Sequence, residues 1–393
     1  MKRCLLFVLL AVSFMLFAQT EIPAGSVSGD WDLAGSPYNV NGEIQIDAGE
    51  TLTIEAGVTV NFAGHYKFIV LGQILAVGTD VNGIIFTATD VVAGWHGLRF
   101  LNTTTPVPVQ LESQLVYCNI RYGRATGIAP DYQGGALYCK DSSELLIQHC
   151  SFSDNSATTG GTMYLQNSNI EMNFVEITGG VASGAGGGIY LNNSDIILTD
   201  SEITGNASIY DGGGVNCFAS DPVFTRVIIA GNTTEWNGAG ISVFNNSSPV
   251  FTNLTIVENL ANHDGSAIAC LYGSVINIVN SIIWDNAYNA MYVETGTTCN
   301  ITYSDLAIGS GQSYYGTGCI TADPLFTDPD TGEVLGASED EVGTIKISAV
   351  NPKFSSGKII NGKGKIKTGA ICRKQKAVKK SAAPAYPRAT PGW

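Results

Sequence analysis

GGALY at 134–138, GGTMY at 160–164, GGGIY at 186–190, GGGVN at 212–216, GAGIS at 238–242 and GSAIA at 265–269 recur along the chain at intervals of 26, 26, 26, 26 and 27 residues. A fixed period of this length marks a solenoid, in which each repeat can bury its apolar face only against its neighbours. Within a repeat, apolar residues alternate with polar ones, the period of a strand. Ile189 and Leu191, then Ile196, Leu198 and Ile203, are interleaved with Asn193, Asp195, Asp200 and Glu202. No stretch shows an apolar stripe at helical spacing. Gly, Asn, Ser and Asp fill the gaps and suit tight corners. Three short strands and three corners make one coil of an all-β parallel β-helix, and the coils stack at roughly 4.8 Å per rung.

A second marker follows each glycine turn. It reads Phe152-x-x-Asn155, Ile203-x-x-Asn206, Ile229-x-x-Asn232, Ile256-x-x-Asn259 and Ile283-x-x-Asn286, and one repeat breaks it with Ile177 followed by Gly180. Aligned asparagines at a corner can pass amide hydrogen bonds from rung to rung and satisfy the buried turn backbone, so these five are read as a structural ladder. Together the two markers resemble the repeat of polymorphic outer membrane proteins and, more broadly, the right-handed β-helix of the pectate lyase superfamily, over roughly residues 115–290. The resemblance implies a right-handed solenoid of about ten or eleven coils. That superfamily includes lyases, hydrolases, esterases, adhesins and passive surface proteins, so the likeness transfers no activity.

Residues 1–18 read as a secretory signal: Lys2 and Arg3 precede an apolar run from Cys4 to Phe17. No later stretch is long and apolar enough for a membrane span, so the expectation is an exported chain, at the cell surface or outer membrane or released outside. Residues 19–50, with Trp31 and Tyr38, are assigned to an N-terminal segment and cap, and 51–330 to the helix, with the regular repeats over 134–289. The stretch 101–133 is the one coil with sizeable loops. Charge divides sharply: residues 19–345 hold 34 acidic and six basic side chains, while 346–393 hold 12 Lys and Arg and no Asp or Glu. Residues 331–393 are therefore read as a basic tail, disordered or foreign to the fold. Cys139, Cys217 and Cys270 fall at one repeat position and read as core residues. Cys118 and Cys150 match on adjacent coils, close enough for a disulfide, although spacing does not fix connectivity.

Because coils stack in register, residues 26 apart become surface neighbours. Glu176, Asp200, Glu202 and Arg226, with His149 nearby, form the one place in the regular repeats where carboxylates meet an arginine. As a catalytic patch it would be that of a calcium-assisted polysaccharide lyase, with carboxylates holding the ion and Arg226 as base. As a surface feature it is an Asp200–Arg226 salt bridge of little energetic consequence. The superfamily's catalytic signatures and cleft-walling loops are not found, so the weight falls on the salt bridge. A second column is aromatic: Tyr138, Tyr164 and Tyr190 are expected to face outward and stack, with Phe218 and Phe244 two positions further along. Such a column is either a glycan-binding platform or a stabilising ladder.

No cysteine arrangement suits zinc, no cofactor is expected apart from calcium in the lyase reading, and the acidic body disfavours nucleic acid. The leading expectation is a surface or extracellular binding and adhesion module for glycans or surface proteins. The alternatives are a carbohydrate-active enzyme (lyase or glycoside hydrolase) and a purely structural envelope protein.

Overall fold

A computed structural model describes residues 19–101, 112–142, 144–287, 289–307, 312–322, 324, 343–351 and 354–362. The signal reading at 1–18 and most of 331–393 lie outside these residues. The chain divides into two units, Met1–Ile320 and Thr321–Trp393. Within the second, Gly343–Asn351 and Phe354–Gly362 form an antiparallel hairpin, a strand pair inside the segment expected to be a tail.

The first unit is a parallel β-solenoid of about ten turns. Its strands lie in sheets of 21, 11 and five strands. One coil runs through Ile189–Asn192, Ile197–Thr204 and Ala207–Ser208, and the next repeats it at Val215–Phe218, Val223–Ala230 and Thr233–Thr234. The register is unbroken, with Ile189 opposite Val215, Ile203 opposite Ile229 and Ala207 opposite Thr233. Among the described residues there is no α-helix, only a 3₁₀ turn at Leu33–Gly35.

The six glycines that open the repeat motif are all left-handed, with φ between +63° and +76°. A Cβ on Gly212 would lie 2.5 Å from the Val215 carbonyl oxygen, so a side chain is excluded on both counts. After this turn the alternation aims Ile189, Val215, Ile241 and Ile268 inward, and these side chains are fully buried. Leu198, Phe224, Phe251 and Ile278 make a second interior row, and Ile203, Ile229, Ile256 and Ile283 a third. Each such side chain contributes about 1.5–3 kcal/mol through burial. The step from 26 to 27 residues occurs at one corner, where Asn245 and Asn246 are both left-handed (φ 62° and 59°).

The solenoid starts earlier than the assignment of 19–50 to a cap. Thr20–Ile22 pairs in parallel with Tyr38–Val40, and Gly29–Trp31 with Leu52–Ile54, so this segment is itself coiled. Trp31 and Tyr38 stack at 4.7 Å within its core.

Polar ladders run beside the apolar rows. Asn206 donates from Nδ2 to Asn232 Oδ1 (3.0 Å), Asn232 to Asn259 Oδ1 (3.0 Å) and Asn259 to Asn286 Oδ1 (2.9 Å). Each of these acceptor oxygens also takes a backbone N–H from the preceding rung. At the broken position Gly180 N–H still donates to Asn206 Oδ1 (2.8 Å), but a Cβ there would sit 2.4 Å from the Gly187 carbonyl oxygen. Asn155, below the gap, instead accepts from Gly123 N–H (2.8 Å) and donates to the Ile120 carbonyl (3.3 Å). A serine ladder that the sequence reading passed over holds another corner: Ser142, Ser168, Ser194 and Ser220 each donate a backbone N–H to the hydroxyl one coil on, ending at Ser247.

The cysteines follow the same logic. Seven described thiols are free, Cys118 and Cys150 among them. Cys150 Sγ accepts Cys118 N–H at 3.3 Å and donates to the Leu115 carbonyl. In equivalent positions Ser201 Oγ accepts Val175 N–H and Ser281 Oγ accepts Leu254 N–H. Cys150 thus fills a serine's place in a hydrogen-bonding column, and burial pushes the Cys118 thiol well above its ordinary range.

Two outcomes follow from these columns. Cys150→Ser should keep native stability within about 1 kcal/mol, while Cys150→Ala strands Cys118 N–H and should be the less stable of the two in urea unfolding. Asn232→Ala removes the acceptor of both Asn206 N–H groups and should cost about 1–3 kcal/mol for each buried donor left unpaired. A loss below about 1 kcal/mol in the same measurement would mean that water replaces the ladder.

Candidate functional site

At one corner of every coil from Tyr117 to Tyr303 sits a left-handed residue, and the column reads Tyr117, His149, Phe174, Asp200, Arg226, Asn253, Asn280, Tyr303. Left-handed φ turns the strand and throws each of these side chains outward onto its neighbour one rung away. Tyr117, His149 and Phe174 stack face to face, at 4.5 and 4.7 Å with 6° and 7° between planes. Arg226 makes a bidentate pair with Asp200, 2.5 Å from Nε and 2.6 Å from the terminal nitrogen. Asn280 donates to Asn253.

The structure therefore joins Asp200 to Arg226, sets Glu176 in register with Glu202 on the strand just beyond, and separates His149 from Asp200 by Phe174. The Asp200 carboxylate raises the Arg226 pKa, the opposite of what a general base requires. Among the described residues no three His, Cys, Asp or Glu side chains come close enough to hold a metal ion. With its side chains 50% and 24% exposed, the pair has the energetics of a surface ion pair.

The tyrosine column stacks, with centroids 5.7 and 5.1 Å apart, but it does not present an open platform. Tyr138 is 2% exposed and Tyr164 5%. Alternation places them outside the apolar core, and the corner before the glycine turn then covers them. Asn192 Nδ2 donates to the Tyr164 hydroxyl (3.0 Å), and the Arg99 guanidinium lies 5.7 Å from the Tyr138 ring. Burial pushes the Tyr138 hydroxyl up to about 12. Phe218 and Phe244 are half-buried and meet edge to face at 5.1 Å.

An exposed aromatic column lies elsewhere, on the corner that follows the five-stranded sheet. Tyr210, Trp236 and His263 each stand four residues after a ladder asparagine, Asn206, Asn232 and Asn259, and that spacing was the signal available in the sequence. The buried Thr234 hydroxyl ties the corner together, donating to the Tyr210 carbonyl (2.6 Å) and accepting Trp236 N–H (3.3 Å). Tyr210 is 53% and Trp236 47% exposed. Their centroids are 6.5 Å apart with planes tilted 33°, and Trp236 lies 5.5 Å from His263. Trp236 and His263 stack, whereas the wider, tilted Tyr210–Trp236 pair exceeds the rung spacing of roughly 4.8 Å and leaves parts of both ring faces open. Beside them runs a groove of about 370 Å³ whose lining includes Val181, Ile209, Leu260, Glu235 and Asn262. Neither this groove nor a larger hollow of about 500 Å³ near Leu33, Leu75 and Val77 is lined by an aromatic ring, but Ile209, Glu235 and Asn262 each precede one member of the column in the chain.

The basic side chains of the body gather at the long coil, where they act as a clip. His96 Nε2 meets the Asp131 carbonyl at 2.8 Å, Lys67 pairs with the Asp131 carboxylate at 3.0 Å, and Arg99 donates to the Gln133 and His96 carbonyls. These bonds spend the cations on the segment 123–133. Burial, then the nearby Arg99 charge, lowers His96 to about 4. A histidine favoured neutral in the fold contributes stability that is complete above about pH 6.5 and fades as pH falls toward 4. His96→Gln should remove a share of that acid sensitivity on the order of 2 kcal/mol. Urea unfolding of both proteins across the window checks this, and parallel pH profiles would remove His96 as the source.

Residues 135–306 match the sequence family described as "Right handed beta helix region". Over 104 residues, 24% of this chain, the sequence is 31% identical to Protein bark beetle of Drosophila melanogaster, and the aligned stretch covers 3% of that protein's length. No described helix is long and apolar enough to cross a membrane. Stacked parallel coils and the glycine turn agree with the family match: the chain forms a parallel β-solenoid of about ten turns, and its residues 135–306 are similar to that family.

Proposed function

We propose that this β-helix is an exported binding module that engages glycans or surface partners along the groove beside Tyr210, Trp236 and His263. The observation that carries the reading is the tilted pair: two half-exposed aromatic rings on successive rungs, each next in the chain to a residue that lines a partly apolar groove. Open ring faces offer apolar contact to sugar faces, while Asn262 and Glu235 supply a polar rim. The stack at Tyr117–His149–Phe174 is tight, at 4.5 and 4.7 Å, and the column at Tyr138 and Tyr164 is buried, so neither offers open ring faces in the same way. Rungs at regular spacing suit a chain of repeating units, since successive units meet equivalent positions. A lyase centred on Arg226 draws less support, because its ion pair favours the protonated guanidinium.

Retention on immobilised polysaccharides tests the reading. Trp236→Ala should weaken retention about tenfold, the equivalent of about 1.4 kcal/mol, while Arg226→Ala leaves it unchanged. Equal retention of wild type and Trp236→Ala would move the binding face away from this corner.

A further inference from the structure

The charge around the groove narrows what it accepts. From residue 141 to 345 the chain contains a single Lys or Arg, Arg226, and Asp200 occupies it at another corner. The corner of the exposed aromatic column carries Asp211, Glu235 and Asp264, and of these Glu235 lines the groove. Asp211 accepts Asn237 N–H (3.1 Å), and Asp264 accepts the Asn289 amide (2.6 Å) and pairs with His263 (3.1 Å). Glu235 is exposed, lines the groove and immediately precedes Trp236. A groove carboxylate one residue from a half-exposed indole offers an ammonium group both ion pairing and cation–π contact. A polyuronate would meet the Glu235 carboxylate as like charge in the groove.

Resting on the binding reading above, we infer that the groove prefers saccharide chains bearing protonated amino groups, with Glu235 receiving the ammonium and Trp236 the adjoining sugar face. A lysine-rich peptide carries the same charge, but the strands Ala207–Ser208 and Thr233–Thr234 are paired on both sides and offer no free edge for strand addition. That leaves side-chain recognition of a ligand with flat, repeating units.

The test measures binding of the full chain to glucosamine oligomers, their N-acetylated counterparts and oligogalacturonate, at a pH where the free amine is protonated. The amino form should bind on the order of tenfold more tightly than the acetylated form, and the preference should shrink with added salt. Glu235→Gln should abolish the preference, leaving acetylated binding as it was, and Trp236→Ala should weaken both. Equal binding of the two forms, or a preference that survives Glu235→Gln, overturns the charge selection while the binding module stands. No binding of any saccharide overturns the module itself. A lysine-rich peptide that outcompetes the amino oligomer at equal charge overturns the ligand class.

Discussion

Every other feature of this molecule depends on the parallel pairing of one coil with the next. A lone coil buries almost nothing, since its inward side chains need the rungs above and below, and its backbone groups point along the solenoid axis. Once coils pair, the register becomes a rule for the whole chain: a residue meets its equivalent about 26 positions away, at a spacing of roughly 4.8 Å. Side chains that attract their own kind are thereby multiplied into columns. Isoleucine over isoleucine fills the core, asparagine over asparagine carries an amide chain, and serine over backbone N–H closes a corner.

The same rule sorts the surface. At the left-handed corner, stacking works for rings, for an Asp–Arg pair and for two amides, so quite different residues succeed one another in one column. Where rings sit close, their faces satisfy each other and little is left for a ligand. Where the corner after the short sheet holds them further apart, the faces stay partly open. Exposure and tilt together separate a column that braces the fold from one able to meet a partner.

The period, the strand alternation and the asparagine ladder were all legible in the sequence, because each recurs at one interval and each has a physical reason to recur. The left-handed glycines could be read from the absence of any Cβ at a fixed turn. Burial of Tyr138 and Tyr164 could not. Alternation says which side of a strand a residue takes, but not what another part of the coil lays over it. The Ser142-to-Ser247 ladder was present at the same period and went unread, since serine at a corner looks like ordinary turn composition. Tyr210, Trp236 and His263 differ in residue type, so their shared place four residues past each ladder asparagine became meaningful only when the rungs were stacked. Cys118 and Cys150 invited a disulfide from their matched positions, whereas the column they occupy is a hydrogen-bonding one in which sulfur does a hydroxyl's work.

Asn245 and Asn246 have a meaning for how such a chain can change length. They absorb the additional residue that turns a 26-residue step into 27, and the pairing of Val243 with Cys270 beyond them is undisturbed. An insertion inside a strand would instead exchange the inner and outer faces of everything up to the next corner, placing isoleucines in water and carboxylates in the core. Tolerance to insertions is therefore distributed by position along the coil: corners can drift in length over generations while strands cannot. Whole coils can be gained or lost with less disturbance still, because a new rung presents the same two surfaces as the one it displaces.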